Sequence, residues 1–243
     1  MKRLFAWFCL LSVCGRAFGG AADPSEALAE GRRIAERVRE LQLTETAQGT
    51  LTLYTNRGRT KLAEIPFALA NTLTTSNWAT VYATRTTNDF YAATLTVIHA
   101  PGQPNEYRLC GADTNIVVTL NAEQTMTPFA RSDYWVADLG LEFLHWPGQR
   151  LLSNHVHRSQ SCHKLESTNP SPGTNGYTRV ISWIDIDTGG IVEAEAYVGS
   201  EKLKIFEPTD VQKVNGRYQI RTLEIENRRA RTKTVLTFDY DRK

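Results

Sequence analysis

The clearest pattern of hydrophobic and polar positions lies in the last third of the chain, between Tyr177 and Tyr240. Short runs in which apolar and polar residues alternate follow one another with almost no spacer. Alternation with a period of two is typical of half-buried β-strands. The dipeptide Asn215-Gly216 between two such runs indicates a hairpin, because a type I′ turn needs positive φ at both central residues. The pattern predicts an antiparallel meander with strands at 178–186, 191–198, 202–206, 217–226 and 232–239.

The first half of the chain predicts one helix followed by further strands. Apolar residues recur at helical spacing over Pro24–Leu43, with Asp23 as the N-cap and Pro24 in the first helical position. The runs that follow are rich in Thr, Val, Tyr and Ile, which β-strands favour. They are 49–55, 64–70, 78–85, 91–100, 106–110 and 115–120, with two more strands within 149–166.

A second helix is predicted over Ser132–His145, and apolar residues lie on nearly every side of it. A helix that is apolar all round is either buried in a core or faces a cavity. Both interpretations stay open: an ordinary core helix, or a lid over a lipid-sized pocket. In the second case we expect the hydrophobic cavity to be lined by residues of this helix and of the meander: Trp135, Leu139, Leu141, Phe143, Leu144, Ile184 and Leu236.

The N-terminus has the pattern of a secretory signal peptide. Lys2 and Arg3 precede a ten-residue apolar run that is too short to span a bilayer, and small residues follow it. We expect cleavage after Gly19 or after Ala22, so residues 1–22 are the predicted signal peptide and 23–243 a single domain. The run Leu11–Cys14 is similar to a lipobox, but Val13 stands where a small residue is preferred. We therefore expect export to the periplasm, with an outer-membrane lipoprotein as the less favoured alternative.

Net charge and cysteine content restrict the kinds of partner and the covalent links that we expect. The net charge of +2 argues against a dedicated nucleic-acid binder, which needs a concentrated basic face. Arginines and a lysine cluster around one turn, at Arg228–Lys233. We expect a solvated hairpin tip there, with an anionic partner as the alternative. Removal of the signal peptide leaves Cys110 and Cys162, which can form one disulfide in an exported protein if their strands are close neighbours.

The sequence contains no recognisable catalytic motif: no nucleophile elbow, no His-Glu-x-x-His, no phosphate-binding glycine loop and no Cys-x-x-Cys. The one candidate is a zinc site formed by His155, His157 and His163, since residues two apart on a strand point to the same face. Scattered surface histidines are the favoured interpretation. We predict no enzymatic activity and no cofactor.

About half of the predicted mature chain, from Asp138 onwards, resembles the outer-membrane lipoprotein-sorting family, which includes the LolA and LolB carriers and the RseB sensor. Short motifs in a fixed order carry the resemblance: Leu141–Pro147, Trp183-Ile184-Asp185, Ala194–Tyr197, Leu203–Phe206, Lys213–Gly216 and Arg231–Leu236. The resemblance implies an α+β fold in which a large antiparallel sheet of about eleven strands curves into a half-open barrel. Helices would lie on its concave face and enclose a hydrophobic cavity.

The function implied by this resemblance is that of a non-enzymatic, monomeric periplasmic carrier of lipoprotein acyl chains or another lipid. An alternative is a cell-envelope sensor that binds a protein partner, such as an envelope membrane protein, with the same sheet. A metal-dependent hydrolase that uses His155, His157 and His163 is a distant third hypothesis.

Overall fold

A computed structural model describes residues 23–41, 45–55, 60–85, 92–111, 116–214 and 216–240. The predicted signal peptide and Asn215 lie outside these ranges. The two α-helices are α1 (Pro24–Arg39) and α2 (Val136–Leu139), and 3₁₀ turns lie at Gln124–Met126, Phe129–Arg131 and Glu142–His145. The strands are β1 (Ala47–Thr55), β2 (Lys61–Leu73), β3 (Trp78–Thr84), β4 (Ala93–His99), β5 (Glu106–Gly111), β6 (Val117–Leu120), β7 (Gly148–His157), β8 (Gln160–Thr168), β9 (Arg179–Asp185), β10 (Ile191–Val198), β11 (Glu201–Val214), β12 (Arg217–Asn227) and β13 (Thr232–Tyr240).

The described strands form one antiparallel sheet of thirteen strands in the order β6-β5-β4-β3-β2-β1-β13-β12-β11-β10-β9-β8-β7. The expectation of about eleven strands was therefore wrong. Two meanders, β1 to β6 and β7 to β13, join where β1 pairs with β13, with Leu51 opposite Leu236. Strands β6 and β7 are the two edges of the sheet and do not pair with each other. The chain between them must therefore travel from one edge to the other.

One face of the sheet, called here the inner face, carries the main hydrophobic core. Leu51, Ile65, Leu95 and Ile225 lie in it with at most 1% of their surface exposed. Helix α1 joins this core through Ile34, Ala35 and Val38, as its amphipathic pattern predicts. The opposite, outer face carries a smaller cluster of Cys162, Trp183 and Val192.

Residues 129–146, called here the core segment, do not form the predicted helix over Ser132–His145. Only α2 and two 3₁₀ turns are helical, and Leu141 interrupts them with a left-handed φ of 50°. Just before the break, Gly140 packs so closely under the ring of Tyr107 that a side chain there would collide with it. Contacts with the sheet therefore override the helical pattern of the apolar residues.

The hairpin turns follow the sequence closely. Strands β11 and β12 pair up to Val214 opposite Arg217, and Gly216 adopts the positive φ that the predicted turn requires. At the β9–β10 turn, the Asp185 carboxylate accepts hydrogen bonds from the amide and hydroxyl of Thr188. Turn formation thus occupies the carboxylate that the sequence places beside Gly189 and Gly190.

Candidate functional site

Asp133 binds the N-terminal end of the core segment to strand β13 through hydrogen bonds. Its carboxylate accepts hydrogen bonds from the hydroxyls of Thr232 at 2.6 Å and Thr234 at 2.9 Å. The amide of Asp133 donates to the Thr234 hydroxyl in return, over 3.0 Å. The next residue, Tyr134, donates its own hydroxyl to the carbonyl of Leu223 on β12. Four hydrogen bonds therefore hold this end against two neighbouring strands.

The middle of the core segment is held by a buried ion pair. The Lys204 ammonium lies 3.2 Å from Asp138 Oδ2, and the two side chains are 0% and 1% exposed. The ammonium also lies 3.8 Å from the ring centroid of Trp135, which stacks on Tyr177. The Tyr177 hydroxyl and the Trp135 amide both donate to the Asp138 carboxylate. A charged group this deeply buried is stable only with such partners.

Burial dominates the electrostatics of this pair. It lowers the pKa of the Lys204 ammonium to about 8, although the neighbouring Asp138 carboxylate opposes the shift. Burial also raises the pKa of Asp138, against the stabilising effect of Lys204 and of the donors from Trp135 and Tyr177. Each charge therefore depends on the other to remain ionised inside the sheet.

A β-bulge explains why Lys204 points inwards. Ala196 is opposite Lys204, but the next residue of β10, Tyr197, is opposite Lys202. Because β11 has one extra residue at this bulge, the side chains beyond it point to the opposite face of the sheet from the one that strict alternation would give. Lys202 therefore binds Glu195 on the outer face, whereas Lys204 reaches Asp138 on the inner face. Sequence reasoning missed the Lys204–Asp138 site, and the pattern around Leu203 contains no signal for a bulge.

The C-terminal part of the core segment is hydrogen-bonded to the β1–β6 meander of the sheet. Tyr82 on β3 donates its hydroxyl to the carbonyl of Leu139 at 2.9 Å. Asn105, just before β5, donates to the carbonyl of Gly140, and Tyr107 on β5 donates to the Glu142 carboxylate. Polar contacts from strands on both sides of the β1–β13 junction thus converge on one short, mostly apolar segment.

Six of the seven predicted cavity residues belong to the main hydrophobic core. Phe143, Leu144, Ile184 and Leu236 are buried in the main core with at most 3% of their surface exposed. Trp135 and Leu139 are partly buried and pack against the same core. Leu141, at 36% exposed, is the most exposed member of the set. The structure therefore brings six of the seven residues into one packed cluster.

Two small cavities lie beside α1. One, of about 90 Å³, lies between the helix and the β9–β10 turn, with Ile34, Val38 and Ile184 in its wall. The other, of about 20 Å³, lies next to Arg39, His99 and His145. Pockets for drug-sized ligands measure roughly 300–1,000 Å³. An acyl chain fits in neither cavity unless the packing around the core segment changes.

The three candidate zinc ligands do not converge. His155 and His157 lie on the outer face, where His155 accepts from the Trp183 indole and His157 contacts Glu193. His163 is opposite Ile184 and therefore lies on the inner face. Residues that lie opposite each other on neighbouring strands point to the same face of the sheet. His163 therefore cannot bind a metal ion together with His155 and His157. Within the described ranges, no group of three or more His, Cys, Asp or Glu is placed to hold a metal.

The possible disulfide between Cys110 and Cys162 does not form. Cys110 lies in β5 and Cys162 in β8, near opposite edges of the sheet. A disulfide needs Cα atoms within about 7 Å, which only adjacent or nearly adjacent strands provide. Cys162 is instead fully buried beside Trp183 on the outer face.

The fold is shared with three solved structures. A DUF1329 family protein from Desulfovibrio piger superposes with a TM-score of 0.68 at 17% identity, over 88% of this chain and 93% of that one. A putative outer membrane lipoprotein-sorting protein domain from Vibrio parahaemolyticus gives 0.69 at 16% identity, over 88% and 92%. A LolA superfamily protein from Nitrosomonas europaea gives 0.59 at 14% identity, over 89% and 94%. The fold is therefore LolA-like, and the resemblance found in the sequence is confirmed.

The family model that matches is described as "Uncharacterized protein", and it covers residues 78–241. The chain belongs to this family. The matched range contains the core segment, Lys204 and all strands from β3 to β13. No curated protein matches the sequence. In the described part of the chain, no helix is long and apolar enough to cross a membrane.

Proposed function

We propose that this protein is a non-enzymatic periplasmic binder of lipid or lipoprotein acyl chains, and that the chains enter between the core segment and the inner face of the sheet. The observation that carries the proposal is the way the core segment is held. Its body is apolar, but separate polar contacts at its two ends and its middle connect it to the sheet. Loss of a few such contacts would free a large apolar surface.

The contacts support a sheet that curves around the segment, with the helical turns on its concave face. Tyr107 on β5 binds Glu142, while Lys204 on β11 binds Asp138, only four residues earlier. A flat sheet would separate β5 from β11 by roughly 34 Å, at about 4.8 Å per strand. Side chains stand perpendicular to a sheet and add little lateral reach. Both strands therefore meet the same short segment in a half-open barrel.

The energetics favour an acyl ligand for such a space. Burial of each CH₂ group contributes about 0.8 kcal/mol, so a long acyl chain gains enough to offset displacement of a few hydrogen bonds. The inner face, on which the core segment lies, already carries the apolar side chains of Leu51, Ile65 and Leu236. A chain of sixteen carbons could thus replace contacts that the segment makes in the closed state.

The export and domain predictions belong to the same proposal. Residues 1–22 act as a cleaved signal peptide, and residues 23–243 form a single periplasmic domain that functions as a monomer without a cofactor. The fold shared with the lipoprotein-sorting protein domain of Vibrio parahaemolyticus supports a role in the cell envelope.

Native mass spectrometry of protein purified from the periplasm without detergent tests the proposal. We expect a bound lipid as a discrete mass increment, and we expect a fluorescent fatty acid to displace it. Protein that carries no lipid and binds no acyl probe would refute the acyl-binding function.

A second function, binding of a protein partner, is favoured by the exposed edge strand β6. Val117 and Val118 in this strand are 59% and 47% exposed, and Ile116 just before it is 63% exposed. Edge strands of this kind accept an added strand from another chain, and charged residues block such pairing. If this function holds, cross-linking in the periplasm should capture a partner that is lost in Val117→Lys/Val118→Lys. Capture that the double variant leaves unchanged would exclude β6 as the binding site.

A further inference from the structure

We infer that four arginines at one rim of the sheet dock the protein onto an anionic phospholipid surface. This inference rests on the proposed function, because it names the surface from which the acyl chain would be taken or to which it would be delivered. The residues, called here the arginine rim, are Arg131, Arg228, Arg229 and Arg231, and all four are exposed.

The fold brings these arginines together from two distant parts of the sequence. Arg228, Arg229 and Arg231 belong to the turn between β12 and β13. Arg131 precedes Asp133, which binds Thr232 immediately after that turn, over 2.6 Å. The start of the core segment and the β12–β13 turn therefore lie at the same rim, where the segment begins its course across the inner face.

The backbone is left-handed at both parts of this rim, as it also is at Arg158 in the β7–β8 hairpin. Ala130 and Arg131 have positive φ values of 48° and 58°, and Arg231 has a φ of 57°. Residues other than glycine rarely adopt this left-handed conformation, and it costs free energy that the surrounding structure must offset. Two of the four arginines of the rim are thus presented from strained backbone.

Carboxylates of the described residues leave the charge of two arginines in the β12–β13 turn uncompensated. Arg229 binds Glu201 at 2.7 Å, but neither Arg228 nor Arg231 forms a salt bridge with any described residue. The arginine at another hairpin tip behaves differently: Arg158 between β7 and β8 binds both Glu193 and Glu207. The β12–β13 turn therefore retains positive charge that a structural hairpin tip does not need.

Anionic headgroups match this chemistry. Guanidinium groups bind phosphate oxygens through paired hydrogen bonds, which suits arginine better than lysine. Several arginines spread along a rim suit a surface of many phosphates rather than one small anion. Each basic residue that meets an anionic leaflet strengthens binding by about fivefold.

The test is co-sedimentation of the mature protein with vesicles of phosphatidylcholine, alone or with about 30 mol% phosphatidylglycerol. We expect binding only to the anionic vesicles. Arg228→Gln/Arg231→Gln should weaken it about 25-fold, at about fivefold per arginine. The matched control is Arg32→Gln/Arg37→Gln on the exposed side of α1, which changes the net charge equally and should weaken binding less than about twofold.

Equal weakening by both double variants would overturn the inference, because only the overall charge would then matter. Binding that inorganic phosphate abolishes, while chloride at equal ionic strength does not, would also overturn it and identify a free phosphate ligand. Capture of a protein rather than vesicles by the rim would contradict it as well.

Uptake of a fluorescent fatty acid without vesicles, measured on the same variants, separates this inference from the proposed function. We expect the rim variants to retain uptake. Wild-type protein that takes up no fatty acid but binds vesicles through the rim would refute acyl binding and leave the docking surface supported.

Discussion

The Lys204 ammonium lies 3.2 Å from a carboxylate oxygen of Asp138, with both side chains almost completely buried, and this pair connects strand β11 to the core segment. A buried pair whose geometry is complete is strongly destabilised when one partner is removed, because the other charge remains buried alone. The pair therefore holds the core segment against β11, and its removal should cause a measurable loss of stability.

Lys204→Met should lower the free energy of unfolding by about 3–5 kcal/mol, measured by urea denaturation at neutral pH. The matched control is Lys202→Met, two residues earlier on the same strand, which removes the partly exposed pair with Glu195. It should cost less than about 1 kcal/mol. Similar small losses in both variants would show that Asp138 is not charged when Lys204 is absent.

Gly31→Ala tests the approach of α1 to the sheet. In an isolated helix this change is stabilising by about 1 kcal/mol. Here an added Cβ would lie 2.6 Å from the carbonyl oxygen of Gln149 in β7. We therefore expect a loss of roughly 2 kcal/mol in the free energy of unfolding, as for other overpacked sites. The exposed neighbour Arg32→Ala is the control and should change stability by less than about 0.5 kcal/mol. Stabilisation by Gly31→Ala would mean that the helix lies further from β7.

His145 should make the fold sensitive to mild acid. Burial, helped by the nearby Arg39 and His99, lowers the pKa of His145 to about 4. The unfolded chain takes up this proton near pH 6.5, so the folded state loses stability as the pH falls from about 6.5 to 4. After a discount for partial exposure, the loss is roughly 2 kcal/mol.

The comparison of His145→Gln with wild type checks this pH dependence. Urea midpoints of wild type should fall more steeply than those of the variant between pH 6.5 and 4. His155→Gln, at an exposed position of β7, is the control and should retain the wild-type slope. Parallel curves for wild type and His145→Gln would show that His145 is already protonated in the folded protein at pH 6.

Most of the sheet could be predicted from the sequence. The alternating runs located thirteen strand positions correctly, because a half-buried strand must place apolar residues on one face. The count of about eleven came from the family resemblance instead and was wrong for this chain. Strand lengths were less predictable: β11 continues to Val214, well past the expected end at Phe206, through Pro208 and two register shifts.

The core segment shows where sequence patterns fail. Apolar residues from Tyr134 to Trp146 fit a helix, but α2 ends before Gly140, which packs against the Tyr107 ring, and Leu141 has a left-handed φ of 50°. The Lys204–Asp138 site depends on a bulge that joins residues 66 positions apart. Neither contact leaves a local signal. That the seven apolar residues line a cavity stays a prediction, although six of them belong to the main core.

Tyr134→Phe should make acyl binding easier. The change removes the hydrogen bond to Leu223 on β12 and leaves the apolar surface intact. We expect the association rate or the affinity for a fluorescent fatty acid to rise roughly fivefold, because one hydrogen bond contributes about 1 kcal/mol. Tyr240→Phe is the matched control, because its hydroxyl donates to the carbonyl of Ile220 away from the core segment. Equal behaviour of both variants would place the acyl site elsewhere.

The most direct test of the proposed mechanism is hydrogen exchange of the core segment with and without an acyl ligand. If acyl chains enter beneath the segment, the amides of residues 134–145 should exchange faster when a fatty acid is bound, while those of β9 and β10 remain protected. Acyl binding that leaves exchange of residues 134–145 unchanged or slower would contradict displacement of the core segment.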